Sequence, residues 1–168
     1  MRSYRVAICL LILLFCGGTV AAAERPYRRI VVLTDLHLPG TNLPAKEQIL
    51  ADINAWPDVD LVAVLGDIVA KVGDATEYAS ARQFFNRLTK PACFVGGNHA
   101  YLYPDSFPVD PATGHHQKES SPERRAEKLR RFQDTWDLPE PFYSRQLDDY
   151  RLVFLTIDSL TGEESARI

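Results

Sequence analysis

Three short apolar runs, spaced about 30 residues apart, each end in side chains that ligate metals, and this repetition leaves the chain few folds to adopt. Ile30 to Thr34 is apolar or β-branched without a charge and runs straight into Asp35-Leu36-His37. Leu61 to Leu65 runs into Gly66-Asp67, and Ala92 to Val95 into Gly96-Gly97-Asn98-His99. Unbroken apolarity predicts strands buried on both faces, as in a parallel sheet. In open α/β sheets the C-terminal strand ends form the ligand site, because the loops there vary while the strands hold them rigidly.

The connecting segments carry helical periodicity. Ala45 to Trp56 places Ile49, Leu50, Ile53 and Trp56 on one stripe and stops at Pro57. The result is a strand-helix-strand unit with parallel strands and a right-handed crossover. Asp74 with Glu77 predicts a helix N-terminus, and Tyr78, Ala81, Phe84, Phe85 and Leu88 form the buried face of a helix ending near Thr89. Tyr101 to Glu119 lacks periodicity and reads as a long surface loop over the strand ends. Ser120-Ser121-Pro122-Glu123 then opens a helix running to about Trp136. Phe142 to Leu147 and Arg151 to Asp158 read as antiparallel strands around Asp148-Asp149-Tyr150.

The chain opens with Arg2 and Arg5, an apolar run from Val6 to Phe15, and Ala21-Ala22-Ala23. That order predicts a secretory signal over residues 1–23, cleaved after Ala23, and a secreted or periplasmic protein with no stable membrane span. A lipidated Cys16 is disfavoured by Phe15, where a small residue is expected. The mature chain from residue 24 to 168 is the size of one domain and keeps a single cysteine, Cys93, read as a small core residue. A net charge of -3 without a basic patch argues against nucleic acid as partner. Arg124, Arg125, Lys128, Arg130 and Arg131 alternate with Glu123 and Glu127, the pattern of a solvated helix face.

Asp35, His37, Asp67, Asn98 and His99 therefore form the candidate constellation. Each motif alone is common, and Asn-His after two glycines usually marks a turn. Their shared placement after three buried strands is what structure alone explains poorly. Mixed oxygen and imidazole donors without thiolate suit Mn, Fe, Zn or Ni. Two such ions clamp the attacking and leaving oxygens of a phosphoryl displacement.

D-x-H, G-D and G-N-H in this order resemble the calcineurin-like metallophosphoesterases from Ile30 to about Asp158. The resemblance implies an α/β protein, a four-layer α/β/β/α sandwich, with two divalent or trivalent metal ions and a small phosphoester substrate, monoester or diester. It implies that Asp35 and His37 bind the first metal, Asp67 bridges, Asn98 binds the second, and His99 is catalytic. Family members continue to a further histidine and a G-H-x-H, which the sequence through Ile168 lacks, so the sandwich is expected to be incomplete at its C-terminus. His115-His116 lies on the wrong side of the VFLTIDS strand to replace them. Ala70 and Ala100 stand where the family often has carboxylates, leaving the partner that orients His99 unassigned, with Asp74 as stand-in or helix cap. Tyr101, Tyr103 and Phe107 either pack on a substrate's nucleoside or lipid portion or cover the sheet edge. The alternative to an exported phosphoesterase is a truncated, inactive relative that acts without catalysis or with a partner chain. A generic nucleotide-binding domain fits less well, since TDLHLPGTN contains neither G-x-G-x-x-G nor G-K-[ST].

Overall fold

A computed structural model describes residues 25–106, 112 and 120–156. The expected leader, Phe107 and His115-His116 lie outside the described residues. Among the described residues, β1 (Arg29–Thr34), β2 (Val59–Leu65) and β3 (Ala92–Val95) form one parallel sheet in that order. A second sheet pairs β4 (Tyr143–Leu147) antiparallel with β5 (Tyr150–Phe154). No helix among the described residues is long and apolar enough to cross a membrane.

The alternation of β2 divides the core. Val62 and Val64 face α1 (Leu43–Ala55), α2 (Ala75–Phe85), the one-turn α3 (Asn98–Tyr101) and α4 (Pro122–Trp136), whose buried residues belong to the same cluster. Leu61 and Ala63 face the other way, with Cys93, Val95 and Phe154 of the hairpin. Helices, parallel sheet and hairpin thus stack as successive layers of a mixed α/β fold. Phe94 lies flat on Trp136 at 3.9 Å, while Phe85 meets both rings edge-on, so β3 is locked to α4 through aromatic contact.

Two burial expectations are corrected. β2 is the strand buried on both faces, with Leu61, Val62 and Val64 at 0 % exposure, whereas β1 lies at the edge and leaves Val32 57 % exposed. Apolar composition does not encode strand order. In α1 the buried stripe is Leu50 and Ile53, while Ile49 and Trp56 are exposed. Trp56 leaves the helix in an extended conformation and lies under the Arg29 guanidinium, and Pro44 occupies the first turn, where a missing N–H costs nothing.

α2 begins as its sequence requires: Asp74 accepts from Glu77 N at 2.8 Å in a complete capping box. It ends at Phe85, short of Thr89, because Arg87 and Leu88 close tighter turns onto Phe84 and Phe85. At α4 the cap is Ser121, accepting from Arg124 N, with Pro122 in the first turn as its sequence requires. The solvated reading of α4 is also corrected. Lys128 is fully buried beside Leu129 and donates to Val72 O at 2.9 Å and Tyr103 O at 2.5 Å. Asp105 is its ion partner at 3.1 Å.

The hairpin meets the parallel sheet through Tyr143, whose hydroxyl accepts from Phe94 N at 2.8 Å and donates to Phe94 O at 2.9 Å. Burial raises the pKa of this phenol above its ordinary value.

At the opposite end of the sheet, Asp60 accepts from Arg29 N at 2.7 Å and from Arg25. The Arg29 hydrogen bond, assisted by Arg25, holds the Asp60 carboxyl below its ordinary pKa against the opposing effect of burial. This carboxylate therefore stabilises the fold fully above its unfolded value of about 4 and loses that contribution as pH falls through the lower folded value. Asp60→Asn should cost about 1–2 kcal/mol at pH 7, and the cost should shrink as pH falls below about 4, measured as the gap between the two proteins' urea midpoints.

Candidate metal centre

The ends of the three parallel strands are tied together before any ligand is considered. Thr34 Oγ1 donates to Leu65 O at 2.7 Å, and Gly66 N donates to Val95 O at 3.0 Å. Beyond the strands, His37 N donates to Asp67 O at 2.8 Å, Leu38 N to Ile68 O at 2.7 Å, and Ala70 N to Leu38 O at 3.0 Å. The loops after β1 and β2 are zipped side by side, which sets His37 against Asp67.

That zipping bends the backbone sharply. Asp35, His37 and Asp67 take positive φ values of 53°, 46° and 41°. Asp and His visit this region more readily than most residues, yet each still costs on the order of 1 kcal/mol. The surrounding hydrogen bonds sustain the conformation.

One ligand atom each from His37, Asp67 and His99 lie within 4.8 Å of one another. The rings of His37 and His99 meet edge-on at 4.8 Å. Asp35 Oδ1 stands 3.8 Å from His37 Nε2, and Asp67 Oδ1 accepts from His99 N at 3.2 Å. Asp35, Asp67 and Asn98 also line a cleft of about 320 Å³, faced by Leu155 and Thr156. All five residues singled out from the sequence therefore gather at one edge of the sheet.

Two observations test whether this set fits a cation. A Cβ at Gly97 would overlap Asp67 Oδ1 and Asp67 N, so glycine there leaves the carboxylate its place. The Asn98 amide stands between Tyr103 Oη, at 2.7 Å, and the Asp67 carboxylate. With its nitrogen toward Asp67 it donates to Oδ2 at 3.0 Å and Oδ1 at 3.1 Å, while Tyr103 donates to its oxygen. With its oxygen toward Asp67 it donates to Tyr103 Oη and sets an amide oxygen beside the carboxylate, a pair of donors that a hard cation accepts. The donors fit a hard or borderline metal.

His99 Nδ1 lies 2.8 Å from Lys71 O. A carbonyl only accepts, so the Nδ1 proton sits in this bond and the neutral ring carries its lone pair on Nε2. Asp74 takes the second of its two expected roles and caps α2. Sequence reasoning missed the Lys71 carbonyl because it is main chain, and gave Tyr103 no role at Asn98. It missed Lys128 although its spacing from Leu129, Phe132 and Trp136 puts it on the apolar stripe of α4.

A family model described as calcineurin-like phosphoesterase matches residues 28–160, well over half of the chain. No curated protein matches the chain.

Proposed function

The chain belongs to the calcineurin-like phosphoesterase family, and from that membership we propose that it is an exported, metal-dependent hydrolase of phosphomonoesters or phosphodiesters. The observation that carries the reading is the convergence of His37, Asp67 and His99 within 4.8 Å at the strand ends. Asp35 and His37 would hold one ion, Asn98 a second, and Asp67 both, with Mn, Fe, Zn or Ni matching the donors. Bound ions would supply Lewis acidity at a phosphoryl oxygen and a water nucleophilic at neutral pH.

The chain's own groups do the rest. Asn98, clamped by Tyr103, and Asp67, fixed by His99 N, hold the ligand oxygens in place. His99, anchored through Nδ1, directs Nε2 as hydrogen-bond donor, when protonated, to the charge that develops on the leaving oxygen. Leu65, Val95 and Leu155 line the same open cleft as Asp35, Asp67 and Asn98.

The test is elemental analysis of the purified chain together with hydrolysis of p-nitrophenyl and bis-p-nitrophenyl phosphate in added Mn²⁺. Near two equivalents of metal, with turnover lost to a chelator and restored by Mn²⁺, is the expected result. Little bound metal and no turnover would sink the enzyme reading. That outcome would favour the non-catalytic, partner-dependent alternative, to which the exposed Val32 on edge strand β1 lends support.

A further inference from the structure

We infer that Glu77 is a positioning residue for His99, acting through the peptide group that joins Lys71 to Val72. Glu77 is buried, and its carboxylate gathers successive main-chain N–H groups: Oε1 accepts from Lys71 N at 2.7 Å, and Oε2 from Val72 N and Gly73 N, both at 2.9 Å. Consecutive amides turned toward one anion form a nest. Helix capping requires only the longer bond from Asp74 N, at 3.4 Å, so three further N–H groups on a buried carboxylate exceed what a cap explains.

The carbonyls of the same three residues are taken on the other side. Val72 O accepts from Lys128 Nζ and Gly73 O from Arg131 Nη1, each at 2.9 Å, and Lys71 O accepts from His99 Nδ1 at 2.8 Å. One peptide unit therefore has Glu77 on its N–H and His99 on its C=O. The carboxylate polarises that amide and strengthens its oxygen as an acceptor. In effect a carboxylate–histidine pair has been built with a peptide group inserted, which supplies what Ala70 and Ala100 cannot. Gly73 completes the geometry: its φ is 66°, and a Cβ there would overlap Ala100 O beside His99.

The consequence for catalysis rests on the phosphoesterase reading, but the geometry does not, and the experiment separates the two. The ring tautomer of His99 is read in metal-free protein from its ¹⁵N and ¹³C shifts at a pH where the imidazole is neutral. Wild type should show the proton on Nδ1. Glu77→Gln, which turns an amide donor toward N–H groups, should give a mixture of tautomers and lower kcat by about ten- to a hundredfold at nearly constant KM. Glu77→Asp keeps the charge, shortens the reach, and should fall between. Asp74→Ala frays the same helix without touching the Lys71–Val72 peptide, and should leave the tautomer on Nδ1.

A wild-type proton on Nε2 overturns the inference without recourse to any variant. So does a Glu77→Gln protein that keeps the wild-type tautomer, or an Asp74→Ala protein that scrambles it equally. Failure of the phosphoesterase reading would look different: no turnover in wild type, with the tautomer still on Nδ1.

Discussion

Replacing Asp67 with Asn should lower hydrolysis of bis-p-nitrophenyl phosphate by on the order of a thousandfold, equivalent to about 4 kcal/mol of barrier. Asp67 is the residue on which the site converges. It receives His99 N, faces the Asn98 amide, and belongs to the His37–His99 cluster. Asparagine preserves the volume and one oxygen but removes the charge and one acceptor, so metal content should fall with turnover. Because His37 N is bonded to the Asp67 main-chain carbonyl, the loop framework should survive. Unfolding midpoints close to wild type in metal-free buffer would show this. A variant that keeps full activity would remove Asp67 from the centre.

The second large effect is expected at Gly97. Alanine there must displace both the Asp67 carboxylate and its main-chain nitrogen. The carboxylate can rotate, but the nitrogen belongs to a loop zipped to Leu38 and cannot. Overpacking of this kind costs about 3 kcal/mol, and the variant should lose Mn²⁺ binding as well. Thermal melts with and without Mn²⁺ check both: a midpoint several degrees lower and no metal-induced rise. An unchanged metal response would mean that Asp67 has room the geometry denies.

Much of this centre was legible in the sequence because its residues sit directly after apolar strands, where one-dimensional order and three-dimensional position coincide. Asp35, Asp67 and Asn98 needed only the strand ends to be found. α2 was equally legible, since a capping box is a local device confined to four residues. Strand order was not, because β1 and β2 share the same apolar character and differ only in having one neighbour or two. Lys128 was hidden by its company: among arginines and glutamates its charge pointed to solvent, although its spacing pointed to the core. The partner of His99 was beyond reach, since a carbonyl leaves no trace in residue identity and Glu77 reaches it through a peptide group. The expected α1 stripe failed at its end for a simpler reason: Trp56 is the extended residue that closes α1 and follows no helical period.

Tyr143 governs association as well as packing. Among the described residues β3 ends the parallel sheet, and an edge strand is a template that any extended chain can join. At Phe94 both outward main-chain groups are already engaged by one phenol, which imitates the donor and acceptor of an arriving strand. A newcomer cannot register across Phe94 without first expelling that ring, together with its stacking on Phe154 at 5.0 Å. Resistance to growth of the sheet in this direction is thereby vested in one side chain, and its raised pKa keeps the plug in its protonated, two-way bonding form well into alkaline solution.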